Sequence, residues 1–179
     1  VPATTMVALP DAEAFRFEPV WVAGFQVPDG LHYHRGHTWV RPETDGTLTV
    51  GLDDLARRLV GAPEKVDLAR AGDRLEVNGP AARLTTHGKE VRVLSPVEGT
   101  VVEVRGEGPS ATLRVDPGGT TNLRHLLSGR EARAWALREL ERLQSGSREL
   151  EPAGRRLLAE LGDGQGARAV DVGCGALGW

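Results

Sequence analysis

One lysine stands beside a turn signal in the segment "RLTTHGKEVRVLSPVEG", residues 83–99. Short strand-like runs flank the dipeptide "HG", and a glycine there suits the left-handed backbone of a two-residue hairpin turn. A lysine at such a turn can carry a covalently attached prosthetic arm, or it can be an ordinary solvated lysine on a hairpin. Lys89 is therefore the first candidate for chemistry in this chain.

Three histidines lie close together in the segment "HYHRGHTW". His32 and His34 share one face of a predicted strand, which makes them a candidate metal-binding pair with His37 nearby. No acidic or thiol side chain follows at a recognisable ligand spacing, so the pattern favours structural histidines over a metal site.

Two adjacent carboxylates and one cysteine are the remaining candidates. Asp53 and Asp54 stand where a helix is predicted to begin, and acids there interact favourably with the helix dipole. This position favours a structural role over acid–base catalysis. The single cysteine, Cys174, has no histidine partner at a recognisable spacing, which disfavours a nucleophilic role. No catalytic constellation occurs in residues 31–115, so we predict that the protein is not an enzyme.

Composition excludes several classes of function. The chain has 179 residues with 22 Lys and Arg against 25 Asp and Glu, a formal charge of -3, so no broad basic field is available for a phosphate backbone. One cysteine permits neither an intrachain disulfide nor a multi-cysteine metal site, which favours a reducing cytoplasm. No apolar run reaches the roughly 20 residues that span a bilayer. We expect a cytoplasmic protein without nucleic-acid or membrane partners.

Residues 31–115 have the texture of a small antiparallel β domain. Short alternating or β-branched runs are broken by Gly, Asp and Pro, and "TWVRPETDGTLTVGL" predicts a hairpin around "TDG". The segment "LDDLARRLVG" instead has helical spacing and a stop at Gly61. Its predicted buried face consists of Leu52, Leu55, Leu59 and Val60.

The regions on either side of this domain have different patterns. Residues 1–30 are predicted to form an N-terminal arm, anchored by Trp21 and Phe25. Residues 116–146 predict a helical extension, because Ser128 and Glu131 have capping-box spacing ahead of an apolar stripe. The stripe consists of Ala132, Trp135, Ala136, Leu140 and Leu143. Residues 147–179 are predicted to hold a linker around "SGSRELEP", a short helix, and a final strand with a glycine-rich turn.

With the β segments in this order, the region from Leu31 to about Gly106 resembles the H-protein of the glycine cleavage system. The matching motifs, in chain order, are "GHTWV", "VGLDDLARRLVG", "AGDRLEV" and "SPVEGTVVEV". The resemblance implies a mainly β barrel-sandwich hybrid, the lipoyl/biotinyl hammerhead, with a short covering helix and C-terminal helices. It also implies that His37 and Trp39 form a structural pair, and that a lipoyl group is the cofactor to consider.

Lys89 departs from the family pattern for the lipoylated lysine. The family places that lysine at the hairpin tip, eight residues before the proline of the next turn, whereas Lys89 is seven residues before Pro96. Gly88 occupies the matching position, and Thr86 stands where the family has an acid. A shift of one residue moves a strand side chain to the other face, so we predict that Lys89 lies off the tip and is not lipoylated. A bulge or a three-residue turn would bring it back to the tip.

The end of the chain resembles the truncated start of a class I S-adenosylmethionine-dependent methyltransferase. Asp171, Gly173 and Gly175 match the Asp-x-Gly-x-Gly turn after the first strand of that fold. Only four residues follow Gly175, so no further parallel strands exist to complete the cofactor site, and we expect no binding of S-adenosylmethionine.

Three functions follow from these patterns, and the third, an enzyme, rests only on the truncated methyltransferase-like motif. The first is an H-protein-like domain without a prosthetic group, acting as a non-catalytic interaction or scaffold module for protein partners. The second is a carrier in which lipoate on Lys89 passes an aminomethyl group among a pyridoxal-phosphate decarboxylase, a tetrahydrofolate-dependent aminomethyltransferase and a dihydrolipoyl dehydrogenase. The count from Lys89 to Pro96 favours the first function.

Overall fold

A computed structural model of the chain describes the backbone of residues 20–160 and the side chains of residues 20–145. The described part is mainly β, as the sequence predicts. Twelve strands are β1 (Trp21–Val22), β2 (Phe25–Gln26), β3 (His32–His34), β4 (Thr38–Pro42), β5 (Leu48–Leu52), β6 (Lys65–Leu68), β7 (Arg74–Leu75), β8 (Pro80–Thr86), β9 (Lys89–Leu94), β10 (Gly99–Arg105), β11 (Thr112–Asp116) and β12 (Leu127–Ser128). The helices are α1 (Asp54–Val60) and α2 (Gly129–Glu160), with a 3₁₀ turn at Gly108–Ser110.

Every described strand pair is antiparallel, and the strands form three sheets. A seven-stranded sheet has the order β12-β3-β4-β5-β11-β10-β7, a three-stranded sheet the order β6-β8-β9, and β1 pairs with β2. The largest apolar cluster draws alternate residues from β4, β5, β10 and β11, because successive strand side chains point to opposite faces. Its most buried members are Val40, Val97, Val101 and Val115.

Helix α1 covers one end of the strands. Asp53 is its N-cap, and Gly61 at φ 61° ends it by donating its N–H to Arg57 O, as the sequence predicts for this stop. The predicted buried face is only partly correct. Leu55 and Ala56 are buried, but Leu59 is 45% exposed. Leu52 belongs to β5 and not to the helix. The helix has only 7 residues, about two turns, and therefore only a narrow buried face.

Helix α2 packs with the predicted apolar stripe on the β domain, here called the barrel. Ala132, Trp135, Ala136 and Leu140 are buried, and Leu143 is partly buried beside Phe25 and Leu55. The predicted linker "SGSRELEP", residues 145–152, is wrong, because a single helix continues to Glu160. Ser145 does not interrupt it, since its hydroxyl donates to Glu141 O at 2.8 Å, the usual way that a serine is accommodated inside a helix.

The start of the described region contacts the barrel through one aromatic residue. Phe25 is 3% exposed and packs against Leu55 and Leu140, as an anchor of the predicted arm should. Trp21 is 55% exposed, so its predicted role as a second anchor is wrong. The methyltransferase-like motif and Cys174 lie outside the described residues. Within the described residues, neither helix has an apolar stretch long enough to cross a bilayer.

Candidate functional site

The Lys89 hairpin, which consists of β8, β9 and the turn between them, has the predicted two-residue turn. His87 and Gly88 are the central residues, with φ 49° and 68°, and Thr86 pairs directly with Lys89. Positive φ at both central positions is the signature of a type I′ turn, whose twist matches that of the flanking strands. Lys89 is thus the first residue of β9, in the pair that flanks the tip, and its side chain is exposed.

The strand register fixes the face on which Lys89 lies. Every second residue of β9 lies on the same face of the hairpin, and this face carries Lys89, Val91 and Val93. On it, Leu84 and Val93 pack into an apolar cluster. This face is turned toward the end of α1, because Val60 packs against the same cluster and its carbonyl lies 3.5 Å from the Thr86 hydroxyl. The opposite face of the hairpin is the outer one.

An acid contacts the turn although none precedes the lysine in the sequence. Glu64, just before β6, accepts a hydrogen bond from the Gly88 N–H to its Oε1 at 3.3 Å. The Glu64 N–H in turn donates to Thr85 O at 2.7 Å, which fixes Glu64 beside the hairpin. No local sequence pattern signals this residue, because its position depends on the pairing of β6 with β8.

A second polar cluster joins the barrel to α2. His37 Nδ1 lies 2.9 Å from Asp53 Oδ2, and His37 Nε2 lies 3.7 Å from Glu139 Oε1. The His37 ring also packs against Trp135, with 5.2 Å between ring centroids. Burial lowers the pKa of His37, but the hydrogen bond to Asp53 and the charges of Asp53 and Glu139 outweigh it, so the net shift of this pKa is upward.

Asp53 has a structural role at both oxygens. Its Oδ1 accepts the Ala56 N–H at 2.7 Å as the cap of α1, and its Oδ2 bonds His37. Asp54 lies in the first turn of the helix, accepts the Gln26 N–H and pairs with Arg58. The helix-start interpretation of these two acids is confirmed.

The other residues singled out in the sequence have structural contacts. Trp39 Nε1 donates to Leu52 O at 2.8 Å, and its ring covers Gly51, where a Cβ would come within 2.7 Å of the ring. His34 Nε2 contacts Asn78 Oδ1 at 2.8 Å. Burial lowers the pKa of His34, which favours its neutral form. Within the described residues, no three His, Cys, Asp or Glu side chains converge as a metal site would require.

A cleft of about 230 Å³ lies beside α1, between Trp39, Asp54, Arg57 and the 3₁₀ turn. Its acids are already bonded within the protein, as described above for Asp53 and Asp54. The cleft therefore does not present Asp53 and Asp54 as a pair of free acid and base groups.

Comparison with known proteins finds sequence similarity over the region that contains the hairpin. The family model for the glycine cleavage H-protein matches residues 31–108. Over 79 residues the chain is 40% identical to the glycine cleavage system H protein of Xanthomonas euvesicatoria pv. vesicatoria (strain 85-10), and 39% identical to that of Xanthomonas axonopodis pv. citri (strain 306). Each alignment covers 44% of this chain and 60% of the relative, so the chain spans about 60% of their length.

Among solved structures, the crystal structure of a glycine cleavage system H protein from Mycobacterium marinum matches with a TM-score of 0.49 and 20% identity, over 60% of this chain and 97% of that one. By sequence, residues 31–108 are similar to the glycine cleavage H-protein. The resemblance seen in the four motifs is confirmed for this part of the chain.

Proposed function

We propose that the chain is an H-protein-like domain that is not lipoylated and that acts as a non-catalytic interaction module for protein partners. One observation carries the proposal: the two-residue turn at His87 and Gly88 leaves Lys89 in the flanking pair of the hairpin. The position at the tip is taken by a glycine, which has no side chain to modify.

The position of the lysine matters because a lipoate ligase must reach its amine from beyond the hairpin tip. From the flanking pair, the Lys89 side chain leaves on the face turned toward α1. The alternative geometry, a bulge or a three-residue turn that pushes the lysine outward, is absent at this end, since Thr86 pairs directly with Lys89. The irregularity in the hairpin lies at its other end, between Pro80 and Ala82.

The surroundings of the hairpin are also compatible with a purely structural lysine. The Glu64 carboxylate is engaged with the Gly88 N–H, so the nearby acid supports the turn. Within the part of the chain that the structure describes, no three His, Cys, Asp or Glu side chains are placed to hold a metal ion. We further propose cytoplasmic protein partners, and enzymes of the glycine cleavage system or related lipoyl-dependent enzymes are the first to test.

Intact mass tests the proposal. The protein is coexpressed with a lipoate ligase in the presence of lipoate, beside the glycine cleavage system H protein of Xanthomonas euvesicatoria as the positive control. We expect no added mass on this chain while the control gains one lipoyl group. A gain of one lipoyl group that Lys89→Arg abolishes would overturn the proposal.

One feature favours the carrier function as the second candidate. Lys89 is exposed and only one residue from the tip, so its flexible side chain can extend past the turn. The carrier function predicts a lipoyl group on Lys89 and transfer of an aminomethyl group from a pyridoxal-phosphate decarboxylase. The mass measurement separates it from the first function.

A further inference from the structure

The outer edge of β9 carries an alternation of charge and apolar surface. β9 is the last strand of the three-stranded sheet, and within the described residues no other strand pairs with its second edge. Glu90, Val91 and Arg92 are all exposed there, with Val91 39% exposed. An exposed edge of this kind presents backbone groups that can pair with another strand.

The register identifies which backbone groups face outward. Thr85 O is bonded to the Glu64 N–H on the β6 side, so Thr85 does not bond to Glu90, the residue opposite it on β9. Antiparallel pairs alternate between bonded and non-bonded, so the pair of Arg83 and Arg92 is also non-bonded. The N–H and C=O groups of Glu90 and Arg92 therefore point to the open edge.

Two arginines lie opposite each other on the outer face of the hairpin. Arg83 and Arg92 stand directly opposite each other, and among the described residues neither has an ion-pair partner within 4 Å. Like charges in directly opposed cross-strand positions are destabilising. Asp67, the neighbour of Arg83 in the same row, is already paired with Lys65 at 2.7 Å. An acid placed on the far side of Arg92 would relieve the repulsion.

We propose that this edge binds the same edge of a second copy of the chain, antiparallel and centred on Val91. The two-fold axis then brings Glu90 of each copy opposite Arg92 of the other, and Val91 opposite Val91. The outward N–H and C=O groups of Glu90 and Arg92 meet as bonded pairs, and the valines meet as the close non-bonded pair between them. The two three-stranded sheets become one six-stranded sheet.

Other registers of the two strands either bring like charges opposite each other or mismatch the backbone groups. Sliding one strand by two residues keeps the backbone bonds but brings Glu90 opposite Glu90, or Arg92 opposite Arg92. Sliding by one residue brings outward backbone groups opposite inward ones and mixes the two faces. Ordinary edge protection uses charges that repel any approaching strand, whereas here one register is attractive. In that register Lys89 lies opposite Val93 of the second copy, and the pairing does not depend on whether Lys89 is lipoylated.

Charge reversal tests the proposed dimer by sedimentation velocity over a concentration series reaching the millimolar range. We expect wild type to associate. Glu90→Arg alone creates two Arg–Arg pairs and Arg92→Glu alone two Glu–Glu pairs, so each variant should dimerise roughly tenfold or more weakly. An equimolar mixture of the two variants restores both pairs as Arg–Glu and should form a heterodimer. Glu98→Arg, an exposed charge reversal away from this edge, is the matched control and should dimerise like wild type.

Amide hydrogen exchange on the wild-type protein gives a readout that needs no variant. The amides of Glu90 and Arg92 should become protected as the concentration rises, while the amides of Lys89 and Val91 are protected throughout. A wild type that stays monomeric over the whole series would overturn the proposal. So would variants that each dimerise like wild type, or a mixture that associates no better than its components.

Discussion

Replacing Asp53 should separate its two structural roles. Asp53→Ala removes the cap of α1, a loss of about 1 kcal/mol, and the hydrogen bond to His37, which as a bond to a charged group contributes roughly 1.5–3 kcal/mol. The expected loss in the free energy of unfolding is therefore about 2.5–4 kcal/mol. Asp53→Asn keeps an oxygen for the Ala56 N–H but places an amide donor where Oδ2 bonds His37, so the cap is kept and we expect a loss of roughly 1.5–3 kcal/mol.

The contribution of the His37–Asp53 pair to the free energy of unfolding should depend on pH. The folded-state pKa of His37 is raised above 6.5, so the protonated ring next to Asp53 stabilises the protein fully below about pH 6.5, and this contribution is lost as pH rises through the folded-state pKa. Glu139 of α2 contacts the other ring nitrogen of His37 and is itself paired with Arg142. The stability gap between wild type and Asp53→Asn should therefore be larger at about pH 5.5 than at about pH 8.5.

Urea unfolding at 25 °C measures these differences, provided that the variants keep the slope of the wild type. Equal losses for Asp53→Ala and Asp53→Asn would refute the capping role. A gap between wild type and Asp53→Asn that does not change with pH would refute the contribution of the protonated His37. His37→Asn is the control for the titration, because asparagine tolerates the positive φ of 62° at this position and does not titrate.

Three further changes test the packing and the hairpin. Trp135→Ala should cost about 3–5 kcal/mol in urea unfolding because the ring is 7% exposed, while Leu137→Ala on the 45% exposed position of the same helix should stay within about 0.5 kcal/mol. Gly99→Ala should cost at least about 1–3 kcal/mol, because a Cβ there would lie 2.5 Å from Asp116 O, whereas Gly119→Ala meets nothing within 4 Å and should be nearly neutral. Gly88→Lys combined with Lys89→Ala moves the lysine to the tip and should gain one lipoyl group on coexpression with the ligase; if the protein folds and gains no mass, position is not the obstacle.

Short-range patterns predicted the local elements of this fold well. Thr86, His87, Gly88 and Lys89 are consecutive, and the type I′ preference for glycine is enough to assign which pair flanks the turn. The same holds for the Asp53 cap and the Gly61 stop of α1, which depend only on adjacent residues. These features depend only on residues that are close in the sequence, so they can be predicted from the sequence alone.

Features that depend on distant segments were not predictable in the same way. Glu64 reaches the turn only because β6 pairs with β8, and Glu139 reaches His37 only because α2 packs on the barrel. Trp21 has an apolar side chain that favoured burial, yet nothing in its own segment indicates whether a neighbour covers it. The sequence does not predict a continuous helix through residues 145–152, because the serines, the glycine and the proline of this segment lower helix propensity locally without ending the helix.

The pairing of β12 with β3 has a consequence for how the chain acquires its fold during synthesis. Leu127 pairs with Tyr33, and Leu31 and Tyr33 are buried against Ala132, Trp135 and Ala136 of α2. A nascent chain that has emerged only as far as residue 108, where the family match ends, would leave the β3 edge and these apolar side chains open to other chains. The boundary of the sequence similarity is therefore not the boundary of the cooperative folding unit, and a fragment cut at that boundary should be prone to aggregation.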